Sequence, residues 1–184
     1  MASTHLIVGG ARSGKSRFAV SSQPPGARVA FVATAQARDA DMAGRIERHR
    51  ADRPGGWLTV EEPTALAPAL KRLVGRADAI VVDCLTLWVS NRLLGGDDEP
   101  AILAEADEIA ALARGGHWDL TFVSNEVGLG VHPETADGLR FRDLLGLVNQ
   151  RLAAACDRVT LMVAGLPITL KALARAHDIA PEAP

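Results

Sequence analysis

Cysteine and lysine are both scarce in this 184-residue chain. The two cysteines, Cys84 and Cys156, stand far apart and neither belongs to a CxxC pair, which excludes a disulfide framework and a thiolate zinc site. Both are expected to be reduced thiols of the core. No run approaches the roughly 18 uninterrupted apolar residues of a membrane span. The opening Met1-Ala2-Ser3-Thr4-His5 lacks the charged-then-apolar layout of a signal peptide, so a cytoplasmic protein without a membrane span is expected. An excess of positive charge is missing too: 20 Lys and Arg against 22 Asp and Glu give a formal charge of −2. That balance argues against nucleic acid as a partner, because such domains carry a strongly basic face. A small anionic ligand needs only a local basic site. Of the 20 basic residues only Lys15, Lys71 and Lys171 are lysine, which makes a lysine inside a Gly-rich turn conspicuous.

What is present is an ordinary globular composition, 48% hydrophobic and 23% charged, at a length that suits one domain over residues 1–184 with no linker. Short apolar runs alternate with longer helical patterns. Runs at 6–8, 29–33, 79–82, 120–123 and 159–163 read as strands apolar on both faces, and 58–60 as a further short one. Segments 41–52, 64–74, 101–113 and 137–155 read as helices, with Leu139, Leu144, Val148 and Leu152 as the clearest apolar stripe. The pattern predicts an α/β fold with a mostly parallel sheet flanked by helices. Residues 95–100 read as a polar loop and 172–184 as a frayed tail.

The strongest motif is Gly9-Gly10-Ala11-Arg12-Ser13-Gly14-Lys15-Ser16, which fits G-x-x-x-x-G-K-[ST] in full, follows the first strand and opens a helix. Glycines let such a loop wrap with its N–H groups inward, the lysine reaches the β and γ phosphates, and Ser16 is placed to ligate Mg²⁺. Such a P-loop needs a second, metal-side acid at the end of an apolar strand. Asp83, after Ile80-Val81-Val82, supplies it, the alternative being a cap for the segment that follows. No N-K-x-D motif and no kinase loop with H-R-D occurs, which leaves a small P-loop kinase or transferase, or a RecA-like nucleotide-binding module.

Basic side chains crowd residues 45–53, where Arg45, Arg48, Arg50 and Arg53 surround His49. On a helix Met42, Ile46 and His49 share one stripe, with Arg45 and Arg53 four residues to either side of the histidine. Neighbouring positive charge favours a neutral imidazole, the form a nucleophile requires. The same arginines would neutralise a triphosphate. Two plainer accounts stand beside this one: a solvated charged face, and an arginine lid that closes over phosphates without using His49.

Together the P-loop, Ala33-Thr34-Ala35, Arg45-Ile46 with His49 and Arg53-Pro54, Asn125-Glu126-Val127-Gly128 and Asn149-Gln150-Arg151-Leu152-Ala153 resemble the bifunctional adenosylcobinamide kinase / adenosylcobinamide-phosphate guanylyltransferase family of cobalamin biosynthesis. The resemblance runs in order from about residue 5 to 171. It implies a P-loop, RecA-like fold and two steps: a nucleoside triphosphate phosphorylates adenosylcobinamide, then GTP guanylylates adenosylcobinamide phosphate through a histidine intermediate at the position of His49. It further implies GTP contacts at Gly9 through Ser16 (Gly9, Gly10, Ala11, Arg12, Ser13, Gly14, Lys15, Ser16), at Ala33, Thr34 and Ala35, at Arg50, Ala51, Asp52 and Arg53, at Glu61 and at Asp83, with Mg²⁺ on Ser16 and Asp83. A homotrimer is implied as well. Whether ATP serves in the kinase step, where the corrinoid docks and which group is the kinase base stay open, as do the roles of Asn125 and Glu126. Position 48 is Arg where relatives can carry a second His, and Asp83 stands where a Glu can appear. His132 reads as incidental, and Trp57, Trp88 and Trp118 as core or interface residues.

Overall fold

The structure is a computed structural model that describes residues 2–37, 44, 47 and 54–172. Its strands are β1 (Thr4–Gly9), β2 (Val29–Ala33), β3 (Leu58–Glu61), β4 (Ala79–Asp83), β5 (Asp119–Val123), β6 (Arg158–Val163) and β7 (Leu166–Lys171). The defined helices are α1 (Lys15–Ser21), α2 (Leu66–Lys71), α3 (Leu85–Leu94), α4 (Glu99–Arg114) and α5 (Ala136–Ala155). All seven strands form one sheet in the order β3-β2-β4-β5-β1-β6-β7, parallel except for β7 against β6.

Alternation along the strands divides the core in two. Leu6, Val8, Ala30, Val32, Ile80, Val82, Leu120 and Phe122 face α2 to α5 in the larger cluster. Ile7, Val29, Phe31, Ala79, Val81 and Val123 face α1 in the smaller one. Each central strand is therefore buried on both sides, as its unbroken apolar run requires. Leu144, Val148 and Leu152 of the expected stripe are buried, while Leu139, nearer the start of α5, is half-buried. Trp88 and Trp118 lie in the core and donate through their indole N–H groups to the carbonyls of Thr64 at 2.7 Å and Leu73 at 3.2 Å. Trp57 is half-buried. Cys156 is buried as expected, but Cys84 is only partly so.

Three elements differ from the sequence reading. Helix α3 has no counterpart in the sequence reading, which ends the strand at Val82 and assigns nothing to 85–94: Leu85-Thr86-Leu87-Trp88-Val89 is apolar and partly β-branched, and nothing in it marks a turn. The polar loop is shorter than 95–100, because Asp98 caps α4 by accepting from the Ala101 N–H, with Glu99 and Pro100 already in the first turn. β7 was not expected, since Pro167 interrupts the apolar alternation; proline is tolerated there because β7 is an edge strand. Of the expected tail, 173–184 lies outside the described residues.

One buried group on β1 is expected to make the fold sensitive to acid. His5 donates to or accepts from Thr160 Oγ1 at 2.8 Å through Nε2, while Nδ1 is buried with no partner among the described residues. Burial, with the nearby Arg158 guanidinium, lowers its pKa to about 4 from 6.5. An imidazole depressed in this way binds its proton more readily in the unfolded chain, so stability declines as pH falls from 6.5 towards 4 and levels off below. The expected loss is about 2 kcal/mol over that window, after allowance for solvent screening. Urea midpoints measured across it should fall for the wild type and run flatter for His5→Gln; parallel curves would rule His5 out as the cause.

Candidate active site

The strand register gathers the implied nucleotide contacts at the carboxyl edge of the sheet. Ala33 pairs with Glu61 on one side and Asp83 on the other, Asp83 pairs with Val123, and Val123 with Ile7, two residues before Gly9. This edge is where ligands collect in open α/β sheets.

Gly9 ends β1 at φ 153°, and a Cβ placed there would meet the Met162 carbonyl oxygen at 2.4 Å, so no other residue fits without a backbone shift. The loop then turns through Arg12 at φ 57° and Gly14 at φ 95°. The Ser13 N–H donates to the Gly10 carbonyl at 3.3 Å, and the Phe18 N–H to the Gly14 carbonyl at 2.9 Å, which starts α1. Lys15 is buried at the loop's centre, with Nζ 2.5 Å from the Gly10 carbonyl and 3.4 Å from Ser13 Oγ. Desolvation lowers its pKa, and Cys84 and Asp83 work in the opposite direction, so the β4 terminus acts electrostatically on the P-loop lysine. Ser16 is half-buried, and Gly10, Ala11 and Arg12 are exposed.

Asp83 is held by its neighbours' backbone. Thr34, fully buried, donates from Oγ1 to the Cys84 carbonyl at 2.7 Å and accepts from the Cys84 N–H at 2.8 Å, while its own N–H donates to the Asp83 carbonyl at 3.2 Å. Asn91 of α3 donates to the Thr34 carbonyl at 2.8 Å. The hydroxyl of Thr34 is thus committed to a clasp that ties the ends of β2 and β4, flanked by half-buried Ala33 and Ala35. Burial and the adjacent Asp83 push the Cys84 thiol up to about 12. Glu61 is exposed at the end of β3.

Asp83 Oδ2 is buried without a hydrogen-bond partner among the described residues. An anionic oxygen left in that state fits a cation. No group of three His, Cys, Asp or Glu capable of holding a metal occurs among the described residues. A single carboxylate with a serine hydroxyl suits Mg²⁺, which usually keeps waters and takes its other oxygens from phosphates.

His49, Arg50, Ala51, Asp52 and Arg53 lie outside the described residues, as does most of the helix expected over 41–52, of which Gly44 and Glu47 are helical. Asn125 and Glu126 have structural partners. The Asn125 N–H donates to Thr86 Oγ1 at 2.8 Å, and its carbonyl accepts from Asn149 Nδ2 at 3.1 Å. Glu126 donates its N–H to the Gly9 carbonyl at 3.1 Å and caps the Gly128 N–H through Oε1 at 2.8 Å. His132 is exposed, 3.0 Å from Arg142 Nη1. Sequence reasoning missed the clasp made by Thr34 and Asn91 and the hairpin between β6 and β7 that touches the P-loop. Gly165 after Ala164 was the one available sign of that hairpin.

Comparison with known proteins agrees with this arrangement. The family model described as cobinamide kinase / cobinamide phosphate guanyltransferase matches residues 5–170. The chain is 45% identical over 167 residues to the bifunctional adenosylcobalamin biosynthesis protein CobP of Pseudomonas aeruginosa, covering 90% of this chain and 96% of the relative. It is 38% identical to the protein CobU of Escherichia coli and 39% identical to that of Salmonella typhimurium, in each case over 178 residues, 90% of this chain and 98% of the relative. Among solved structures, an ATPase of the type III secretion system of pathogenic bacteria superposes with a TM-score of 0.55 at 12% identity, over 91% of this chain and 56% of that one. That likeness concerns the fold, and agrees with the RecA-like P-loop architecture expected from the sequence. The P-loop, the strand order and the extent of the match lead to one conclusion: the chain belongs to the cobinamide kinase / cobinamide phosphate guanyltransferase family.

Proposed function

We propose that this chain catalyses both reactions of its family, phosphorylating the aminopropanol hydroxyl of adenosylcobinamide and then converting adenosylcobinamide phosphate to adenosylcobinamide-GDP. The observation that supports it best is the placement of Lys15 and Asp83 at one sheet edge, where Asp83 acts electrostatically on the lysine and keeps a buried oxygen with no partner among the described residues. In this reading Gly9, Gly10, Ala11, Arg12, Ser13 and Gly14 wrap the phosphates, and Lys15 draws charge from the β and γ groups of GTP, or of ATP in the kinase step. Ser16 and Asp83 hold Mg²⁺, which when bound neutralises phosphate charge. Ala33, Thr34, Ala35 and Glu61 border the same edge through their backbone and side chains.

The second reaction runs through His49. A neutral imidazole nitrogen attacks the α phosphorus of GTP, the N–P bond forms, the bond to the β-phosphate oxygen breaks, and pyrophosphate leaves. An oxygen of adenosylcobinamide phosphate then attacks the same phosphorus, the N–P bond breaks, and histidine is released. Arg50 and Arg53, with Ala51 and Asp52 between them, follow the histidine in sequence and offset phosphate charge. A homotrimer in the cytoplasm completes the reading, the basic segment of one subunit meeting the P-loop of another. Among the described residues no helix is long and apolar enough to cross a membrane.

Incubation with GTP labelled at the α phosphorus tests the reading. The expected result is acid-labile label retained on the wild type and absent from His49→Asn. A kinase that merely closes an arginine lid would retain none in either.

A further inference from the structure

The P-loop is braced from outside by the β6–β7 hairpin. Val163 pairs with Leu166, and the two residues between them, Ala164 at φ 51° and Gly165 at φ 83°, both have positive φ, the pattern of a type I′ turn. Two residues of this hairpin, Met162 and Gly165, meet three of the loop, Gly9, Ser13 and Gly14. The Gly165 N–H donates to the Ser13 carbonyl at 3.0 Å. A Cβ on Gly14 would lie 3.4 Å from the Gly165 Cα and 3.8 Å from the Met162 ε-methyl. The Met162 carbonyl closes against Gly9, as described above. Arg17 covers the junction, with Nη2 3.9 Å from the Cβ position of Gly14 and of Gly165 alike.

We propose that Gly165 is a positioning residue for nucleotide binding: its N–H holds the Ser13 carbonyl outward and thereby turns the Gly14 N–H into the phosphate cradle. The reason is the planarity of the peptide unit. In a trans peptide the C=O and the following N–H point in opposite directions, so anchoring the Ser13 oxygen to the hairpin aims the Gly14 donor to the other side. Without the anchor that peptide plane turns more freely, and the donor must be ordered when the ligand arrives. Gly165 touches no ligand itself. The inference rests on the reading of Gly9 through Ser16 as the nucleotide site.

The test removes the N–H without adding a side chain, by replacing Gly165 with glycolic acid through α-hydroxy acid incorporation, which also weakens the Ala164 carbonyl as an acceptor. Affinity for magnesium GTP is measured by calorimetry well below the unfolding midpoint. Loss of one neutral hydrogen bond predicts a roughly fivefold weaker dissociation constant with the thermal midpoint little changed, and recovery to within about twofold in Gly165→Asn, which keeps the N–H and tolerates positive φ. Unchanged affinity in the ester protein overturns the inference while leaving the nucleotide site intact; a wild type that binds no magnesium GTP removes the site reading first. Wild-type hydrogen exchange gives an answer that needs no folded variant. The Gly165 amide is expected to exchange at least about tenfold more slowly than an unbonded amide, and exchange at the unprotected rate overturns the inference.

Discussion

Lys15→Met is expected to lower kcat/KM of both the kinase and the guanylyl-transfer reaction by roughly a thousandfold, the scale of removing a preorganised charge from a phosphoryl-transfer site. Methionine keeps the unbranched apolar stem, so the packing of a residue that is already buried is preserved. The wild-type ammonium is held in a desolvated position with a backbone carbonyl and a serine hydroxyl as its near partners. Its removal is therefore expected to leave the thermal midpoint unchanged or slightly raised. Steady-state kinetics of the two half-reactions alongside a melting curve separate the outcomes. A variant that retains guanylyl transfer while losing only kinase activity would contradict a single triphosphate pocket serving both steps, and one that unfolds would make Lys15 structural.

Asp83→Asn is the second large effect, expected at roughly a hundredfold in kcat/KM, together with a higher Mg²⁺ concentration for half-maximal rate. The two readings of Asp83 from the sequence, metal-side acid or cap, differ in what this variant does. In the structure Cys84 occupies the cap position of α3 and makes no side-chain cap hydrogen bond. The backbone around Asp83 is fixed instead by Thr34, whose clasp the substitution leaves in place. Stability is therefore expected to move by no more than about 1 kcal/mol. A loss of stability without a shift in Mg²⁺ dependence would make the residue structural.

How much of this was legible beforehand depended on whether a residue carried its own punctuation. β2 was read to its ends because a Pro-Pro-Gly turn enters it, and the P-loop because its spacing, strand and helix agree at once. Asp83 was found by the apolar run before it, and the register then put it beside Ala33, whose other neighbour is Glu61. What failed lacked such marks. Helix α3 follows a strand with no Gly or Pro between, and its apolar side chains are equally at home in either geometry. The Thr34 clasp joins positions 50 residues apart, so no local pattern encodes it. Gly165 matters because of Ser13, a pairing visible only once β6 lies beside β1.

The position of β1 has a consequence for how the protein is made. Its partners are β5 and β6, with Thr4 opposite Leu120 and His5 opposite Arg158. A nascent chain emerging from the ribosome amino end first must therefore keep this apolar strand unpaired until more than a hundred further residues have been synthesised, and its second neighbour arrives later still. The loop after β1 takes its braced shape only when the hairpin beyond Val163 exists, so full affinity for nucleotide is among the last properties the growing polypeptide acquires.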